Sequence, residues 1–490
     1  MTTQWLTFGQ TLDHYAQSAP DEIVISCART DGSLDVISRQ QLRTRSNTLA
    51  RVLIERGVNV GDLVPIILPT CVDFLVATTA ILKAGGTPMP VSNRVPDTEC
   101  FGLLALAAPK VIFADRDWGI PCIDPTLTGD STTETDLTTV RASDPIKALS
   151  SGGSTGKPKL ILTAGPFLSP FGENPIALAL RLETGGLKYS PGPLYHNGPF
   201  WFSLNMLING GRILLNERFD ARRALELIEQ AKPTILNLVP TMMQRMLRDE
   251  YWETADMSSI RTVWHLAAPC PPWAKEGFIN KLGGEKVLEL WAATEGTGMT
   301  ALDGNEWLAH KGSVGKPVGT EVLILDADRN PLPTGEVGEI FTCMAGQPAN
   351  YRYLGAEPLE TAEGNYASVG DLGWLDKDGY LYLADRRTDL IISGGANIFP
   401  AEVEAVISQH PAVNDVAVIG LADADLGRRV HAIVTLHNHA EAVTEDELLG
   451  LCAQHLLRYK VPRSLEFVPE LPRTEAGKIR RSALRDARES

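Results

Sequence analysis

The chain has 490 residues, of which 44% are hydrophobic and 21% charged, values typical of a globular protein with more than one domain. Its formal net charge of −15 excludes a general nucleic-acid or acidic-membrane role, because those surfaces attract basic proteins. The seven cysteines are odd in number, scattered and never spaced as CxxC. This pattern excludes a disulfide framework or a zinc site and predicts free thiols in a reducing cytoplasm.

No membrane segment or signal peptide is predicted. The first residues lack a basic region followed by an apolar region. The apolar stretch over 64–84 is interrupted by Pro69, Asp73 and Lys83. We therefore expect a cytoplasmic protein without integral membrane association.

The N-terminal part alternates strands and helices. Leucines at helical spacing predict a helix over 38–55, and a strand, a helix and a strand follow over 63–68, 71–83 and 87–91. The same alternation returns over 212–239. Strands separated by helices of this length predict parallel sheets flanked by helices.

The predicted secondary structure changes in the last third of the chain. Short strands between Gly and Pro turns over 314–384 predict a small β-barrel or an antiparallel sheet. Pro400 followed by acidic residues predicts a helix start, and strands over 415–419 and 431–436 with a helix over 445–456 complete an α+β unit. The expected fold class is α/β plus α+β. A large domain of two αβ layered subdomains and a small β-barrel spans 1–387, and a small α+β domain spans 388–490.

The segment SGGSTGKPK over 151–159 has the composition of a phosphate-binding loop. Its glycines let backbone N–H groups approach an anion, its hydroxyls donate hydrogen bonds and its lysines add charge. It is not a Walker A loop, because only three residues separate Gly152 from Gly156 and Pro158 follows the lysine. A flexible surface turn is the alternative interpretation.

Four further segments carry weaker signals. His196 lies in a predicted turn, where a histidine is more often structural than functional. Thr294 and Glu295 follow a predicted strand, where a carboxylate beside a hydroxyl can hold Mg²⁺. Asp371 is in a turn, where aspartates usually cap their own backbone but can also bind a ribose diol. Lys478 follows a glycine and matters only if its domain can bring it to a phosphate.

Taken in order, six segments resemble the successive core motifs of the adenylate-forming (ANL) superfamily, and they cover nearly the whole chain: SGGSTGKPK, PLYHNG, WAATEG, SVGDLGW, DRRTDLIISGGANIFPAEVE and PRTEAGKI. The resemblance implies that a carboxylic acid attacks the α-phosphate of ATP to give an acyl-adenylate and pyrophosphate. A thiol, usually that of coenzyme A, then displaces AMP. It implies ATP, Mg²⁺ and coenzyme A as cofactors and a small-molecule carboxylic acid as partner.

The resemblance also assigns roles to residues of the large domain. Four residues would wrap the β- and γ-phosphates: Ser154, Thr155, Gly156 and Lys159. Thr294 would contact the α-phosphate, and Glu295 would hold Mg²⁺. Trp291 would pack on adenine, Asp371 would bind both ribose hydroxyls and Arg386 would assist there.

For the small domain the resemblance implies a rotation between the two half-reactions. Lys478 would bridge the carboxylate and the α-phosphate during adenylation. Rotation would replace it with Gly394 and Gly395, which would line a pantetheine tunnel, while His196 would reposition at the carboxylate pocket. The hinge would be Thr388, where the family usually has Asp or Lys, so the thioester step is in question.

The sequence also suggests a substrate class. Three short segments resemble segments of bile-acid-type and actinobacterial acyl-CoA ligases: PVSNR, AAPCP and HKGSVG. Small residues are compatible with a roomy apolar pocket, although they also ease packing: Gly185, Gly186, Ala267, Ala268, Ala292 and Ala293. We expect a stand-alone acyl-CoA ligase for a bulky polycyclic acid. A homodimer is one expected oligomeric state. The alternatives are an enzyme that passes the acyl-adenylate to another acceptor, and a non-catalytic nucleotide-binding relative.

Overall fold

The computed structural model describes residues 4–127, 141–152, 158–172, 174–344, 347, 349–362, 364–437, 443–472, 479 and 481–489. The first elements, in chain order, are β1 (Trp5–Thr7), α1 (Phe8–Ser18), β2 (Ile23–Ala28), β3 (Leu34–Ser38), α2 (Arg39–Glu55), β4 (Leu63–Ile67), α3 (Val72–Ala84), β5 (Thr87–Pro90), α4 (Asp97–Ala107) and β6 (Phe113–Ala114). The predicted helices over 38–55 and 71–83 are confirmed as α2 and α3. Ser38 caps α2 with a reciprocal capping box, and Gly85 ends α3 in the left-handed conformation.

The middle of the chain continues the alternation of strands and helices. Its elements are β7 (Lys147–Gly152), β8 (Pro158–Thr163), β9 (Leu168–Pro170), α5 (Pro175–Ala179), β10 (Leu187–Ser190), α6 (Asn197–Ile208), β11 (Arg212–Asn216), α7 (Ala221–Ala231), β12 (Ile235–Leu238), α8 (Pro240–Arg248), α9 (Tyr251–Thr254), β13 (Thr262–Leu266), α10 (Pro272–Leu282) and β14 (Val287–Ala292).

The last third contains short strands followed by a compact α+β unit. Its elements are β15 (Met299–Asp303), α11 (Gly304–Ala309), β16 (Ser313–Pro317), β17 (Thr320–Leu325), β18 (Gly338–Met344), β19 (Tyr351–Leu354), β20 (Glu360–Thr361), β21 (Ala367–Ser368), β22 (Asp371–Leu375), β23 (Leu381–Arg386), β24 (Ile391–Ser393), β25 (Ala396–Ile398), α12 (Pro400–Ile407), β26 (Val413–Asp423), β27 (Gly427–Leu436), α13 (Glu445–His455), β28 (Ser464–Phe467) and α14 (Arg481–Glu489).

Two parallel sheets form the large N-terminal part, as predicted. The first contains β2, β11, β10, β12, β13 and β14 side by side and parallel. The second contains β5, β4 and β6. One core, to which α2, α3 and α6 contribute, includes buried residues of both sheets, and α7, α8 and α10 cover the other face of the first sheet. Long apolar runs in these strands follow from burial on both faces.

The strands from β15 to β23 are antiparallel and, apart from β19, extend the first sheet beyond β14. Within the described ranges this gives one sheet of 15 strands. The antiparallel pairing is confirmed, whereas closure into a small barrel stays a prediction. The strand β19 instead joins β8 and β7 in a separate three-stranded sheet.

The C-terminal unit has its own core. A long antiparallel pair, β26 and β27, is extended by β28 in parallel, and α12, α13 and β24 pack against it. The strands predicted over 415–419 and 431–436 and the helix over 445–456 are confirmed. The unit is therefore the α+β fold that the sequence predicts.

Candidate active site

The phosphate-loop segment over 151–159 includes the end of β7 and the start of β8. The strands β7 and β8 pair in antiparallel register, so that Ser151 lies opposite Lys159. The predicted phosphate ligands Ser154, Thr155 and Gly156 lie outside the described residues, and the predictions for them stay open. Lys159 is described, and its Nζ lies 4.2 Å from the centroid of the Tyr353 ring on the neighbouring strand β19. The lysine is thereby held over an aromatic face at the base of the loop.

Glu295 is buried and bonded to a tyrosine that sequence reasoning did not single out. It follows β14 in the turn over 293–296, and the hydroxyl of Tyr353 donates to its Oε1 at 2.5 Å. Burial, together with this bond, raises the pKa of Tyr353 far above its ordinary range, so the tyrosine stays a donor. Carboxylate oxygens are ligands that Mg²⁺ prefers, so the buried Glu295 is suited to hold the ion.

Thr294 lies in the same turn, at the carboxyl end of the parallel strands β13 and β14. Ligands of open α/β sheets bind at this edge. Thr294 is half-buried. Its hydroxyl can therefore donate to a ligand while the fold holds the residue in position. The structure therefore brings the predicted Thr294 and Glu295 together at the edge where a nucleotide is expected.

Trp291, Asp371 and Arg386 meet, although they are far apart in the chain. The indole Nε1 of Trp291 donates to Oδ2 of Asp371 at 3.1 Å, and Arg386 Nε lies 3.3 Å from Asp371 Oδ1. Asp371 begins β22 and is the register partner of Arg386 on β23. The carboxylate is buried, whereas the Arg386 side chain is 59% exposed. The arrangement suits an adenine ring on the indole and ribose hydroxyls at the carboxylate.

His196 is the residue immediately before α6 and accepts no backbone hydrogen bond with its side chain at the helix start. Its ring is half-buried and lies 4.7 Å from that of Tyr195, centroid to centroid. The next residue, Asn197, accepts a hydrogen bond of 2.5 Å from Lys147 Nζ on β7. Sequence reasoning missed Lys147, although a lysine between apolar residues of a buried strand was a visible signal.

Small residues border only part of this edge. Ala267 and Ala268 follow β13, and Ala292 and Ala293 end and follow β14, so these two pairs lie at the carboxyl ends of the strands. The suggestion that Gly185 and Gly186 line the same pocket is wrong. They precede β10 and therefore lie at its amino end, opposite the edge that carries His196.

The residue predicted as the hinge and two residues predicted to act from the C-terminal domain lie in turns. Thr388 lies in the turn between β23 and β24. Gly394 and Gly395 form the turn of the β24–β25 hairpin with positive φ angles of 57° and 83°. Lys478 lies outside the described residues, and its predicted role stays open.

An ion-pair network that the sequence did not indicate joins the two sides of the turn that contains Thr388. Arg481 Nη1 lies 2.9 Å from Asp389 Oδ2 and 3.8 Å from Asp385 Oδ1, and Arg481 Nη2 lies 2.9 Å from Glu404 Oε2. Burial raises the pKa of Asp385 to about 6, and the Arg481 charge opposes that shift. One arginine of α14 thus joins residues on both sides of Thr388.

No helix in the described ranges combines the length and the apolar character that a membrane crossing requires.

An indole and a carboxylate joined by a hydrogen bond, with a buried acid in the turn after the indole's strand, are features of a nucleotide-binding α/β enzyme. The chain belongs to the AMP-binding enzyme family, which it matches over residues 12–348, with the C-terminal domain of that family matched over residues 402–478. It is thus an adenylate-forming enzyme, as the order of its motifs indicated.

Relatives match along nearly the full length. A 2-succinylbenzoate–CoA ligase of Bacillus cereus is 28% identical over 456 residues, which cover 92% of this chain and 93% of the relative. The fold is also similar to that of o-succinylbenzoate CoA synthetase from Bacillus subtilis in complex with its acyl-adenylate intermediate. That structure has a TM-score of 0.82 and 26% identity, with 99% of each chain covered. The same enzyme in complex with ATP and a magnesium ion has a TM-score of 0.82 at 26% identity, with coverage of 98% and 100%.

Proposed function

We propose that this enzyme is an AMP-forming acyl-CoA ligase that activates a bulky, largely apolar carboxylic acid with ATP and Mg²⁺ and transfers the acyl group to coenzyme A. The observation that carries the proposal is the joint placement of Trp291, Asp371 and the Glu295 turn at one edge of the sheet. The named relatives, which ligate 2-succinylbenzoate to CoA, support the reaction class.

In the first half-reaction a carboxylate oxygen forms a bond to the α-phosphorus of ATP, and the bond from that phosphorus to the bridging oxygen of pyrophosphate breaks. Two anions approach each other, so positive charge at the phosphates lowers the barrier. Glu295 would hold Mg²⁺, which offsets phosphate charge when bound. Thr294 would donate to the α-phosphate, and Lys159 with Ser154, Thr155 and Gly156 would bind the pyrophosphate end.

The nucleoside would be oriented by the other side of the site. Trp291 offers an aromatic face to adenine, and its N–H holds Asp371 in place. Asp371 would accept hydrogen bonds from both ribose hydroxyls, with Arg386 beside it. Lys478 would bridge the reacting carboxylate and the α-phosphate.

In the second half-reaction the CoA sulfur forms a bond to the acyl carbon, and AMP leaves with the oxygen that joined them. We assign residues 1–387 to the adenylating domain and residues 388–490 to a domain that rotates about Thr388. Rotation would bring Gly394 and Gly395 to the site, where the absence of side chains at the hairpin turn leaves room for pantetheine. His196 would border the acyl pocket.

The substrate is proposed to be bulky and apolar, aromatic or polycyclic. The aromatic acid of the named relatives and the alanines at the carboxyl ends of β13 and β14 support a roomy cavity. We also propose a cytoplasmic enzyme that forms homodimers. Its seven cysteines, all free and mostly buried, suit a reducing compartment.

The second candidate is an enzyme that passes the acyl-adenylate to another acceptor, and Thr388 at the hinge is the observation that favours it. The test is pyrophosphate release from ATP with a panel of fatty, aryl, steroid and diterpenoid acids, including 2-succinylbenzoate. Release that is matched by CoA-thioester formation supports the ligase. Accumulation of acyl-adenylate without thioester supports the second candidate, and no release with any acid contradicts adenylation.

A further inference from the structure

Four lysines are buried in the described chain: Lys83, Lys147, Lys188 and Lys275. A buried ammonium group is costly unless it is paired with an anion and hydrogen-bonded. Two of the four follow this rule, since Lys83 pairs with Asp13 and Lys275 with Glu289. The other two have neutral hydrogen-bond partners among the described residues, Asn197 for Lys147 and Ser203 for Lys188.

Lys147 and Lys188 differ in where they contact α6. The Asn197 amide that Lys147 binds at 2.5 Å comes directly after His196, at the start of α6. Lys147 Nζ also lies 4.9 Å from the centroid of the Trp201 ring, one helical turn further on. Lys188 instead binds the Ser203 hydroxyl in the middle of the same helix.

Lys147 is buried near a carboxylate with which it forms none of the described ion pairs. The group is 4% exposed, and burial lowers its pKa to about 7, while the charge of Glu295 works against that shift. Glu295 is thus near enough to interact with the ammonium, although none of the described ion pairs includes Lys147. An ammonium has three N–H donors, and the Asn197 amide uses one of them.

We propose that Lys147 is a specificity-determining residue whose ammonium group binds a carboxylate of the acid substrate. The inference rests on the proposed function, because that function brings a carboxylic acid to the site of His196 and Glu295. Lys147 binds the residue after His196 and interacts electrostatically with Glu295. An arriving carboxylate supplies an anion at hydrogen-bond distance, which no described ion pair provides for Lys147, and a charge-assisted hydrogen bond forms. The carboxylate has two possible sources, the one that reacts with ATP and a second one on the same acid.

The test is calorimetric titration of the full-length protein, saturated with Mg²⁺ and α,β-methylene-ATP, with two acids. These are 2-succinylbenzoate, which has two carboxylates, and 4-oxo-4-phenylbutanoate, which lacks the one on the ring. The test variant is Lys147→Gln. The matched control is Lys188→Gln, which removes another buried lysine that is hydrogen-bonded to α6. Wild type is expected to bind, and K147Q to bind about tenfold or more weakly, as for one lost charge-assisted hydrogen bond.

Each outcome has a distinct meaning. An equal loss for both acids assigns Lys147 to the reacting carboxylate, and a loss confined to 2-succinylbenzoate assigns it to the ring carboxylate. Unchanged affinities in K147Q, an equal loss in K188Q, or no binding of either acid to wild type would overturn the proposal. Titration does not need turnover, so a protein that binds acid through Lys147 but releases no pyrophosphate contradicts the proposed function alone.

Discussion

The indole of Trp291 donates a hydrogen bond of 3.1 Å to the carboxylate of Asp371, which links the end of β14 to the start of β22. The bond orients two predicted nucleotide ligands relative to each other. Replacing Trp291 with Phe keeps an aromatic face for adenine but removes the donor. A buried carboxylate that loses such a partner is less well positioned for the ribose.

We expect Trp291→Phe to raise the KM for ATP about tenfold, or about 1.4 kcal/mol of binding, with a smaller effect on kcat. Steady-state pyrophosphate release at varied ATP concentrations measures this. Trp374→Phe is the matched control, because Trp374 stacks on Tyr382 with ring centroids 5.1 Å apart. An unchanged KM in the Trp291 variant would show that the bond is not needed to bind ATP.

The hydroxyl of Tyr353 orients Glu295, so Tyr353→Phe tests whether this carboxylate holds the metal. With the donor removed, Glu295 is less well positioned, and the Mg²⁺ concentration for half-maximal activity should rise several-fold. Tyr351→Phe on the same strand is the control, because the Tyr351 hydroxyl accepts from the Leu359 N–H instead. A lower Mg²⁺ requirement in the Tyr353 variant would mean that the tyrosine competes with the metal.

Much of the fold follows from local sequence. Periodicity predicted α2, α3, α7 and the parallel strands, and Pro400 marked the start of α12. Nothing local showed that Trp291 would reach Asp371, because their contact depends on strands that pair across the extended sheet. The resemblance to a family predicted both residues as ligands, but not the bond between them.

Two other features depended on three-dimensional information. The glycines 185 and 186 were assigned to the pocket on residue size, but the direction of β10 places them at its opposite end. Tyr353 has no motif of its own, and only the pairing of β19 with β8 brings it to Glu295. Residue type indicates which chemistry is possible, whereas strand order decides which residues meet.

Arg481 forms ion pairs with residues on both sides of the turn that contains Thr388, so its removal should destabilise the C-terminal unit. Arg481→Gln would remove the counter-charge from Asp385, whose side chain is 5% exposed, and from the half-buried Glu404. Breaking a fully buried pair by removing one partner costs about 3–5 kcal/mol, and the partial exposure of Arg481 and Glu404 should bring the cost here to the lower end of that range or below it. The measurement is the urea midpoint of the C-terminal transition, followed by hydrogen exchange in residues 400–436.

The control is Arg485→Gln. Arg485 is a more exposed arginine of the same helix, and among the described ion pairs it pairs only with Asp486. Equal midpoints for the two variants would contradict a stabilising role for the network.

Lys188 makes the stability of the protein depend on pH. Burial lowers its pKa from 10.5 to about 7, so above pH 7 the folded protein holds a neutral amine while the unfolded chain stays protonated. The unfolded state then binds more protons, and the contribution of Lys188 to the free energy of unfolding rises with pH between about 7 and 10.5, by at most about 1.4 kcal/mol per pH unit. Below pH 7 the full cost of a buried charge is present.

Lys188→Met removes this dependence. We expect the variant to be more stable than wild type at pH 7, because an apolar side chain of similar length fills the site and the Ser203 hydroxyl keeps its bond of 2.6 Å to the Pro199 carbonyl. The advantage should shrink as the pH rises to 9.5, since wild type gains stability over that range. Urea midpoints of both proteins at several pH values measure the difference, in which the other titrating groups cancel. Parallel curves would mean that Lys188 remains charged in the folded protein, with an anion or water near its ammonium group.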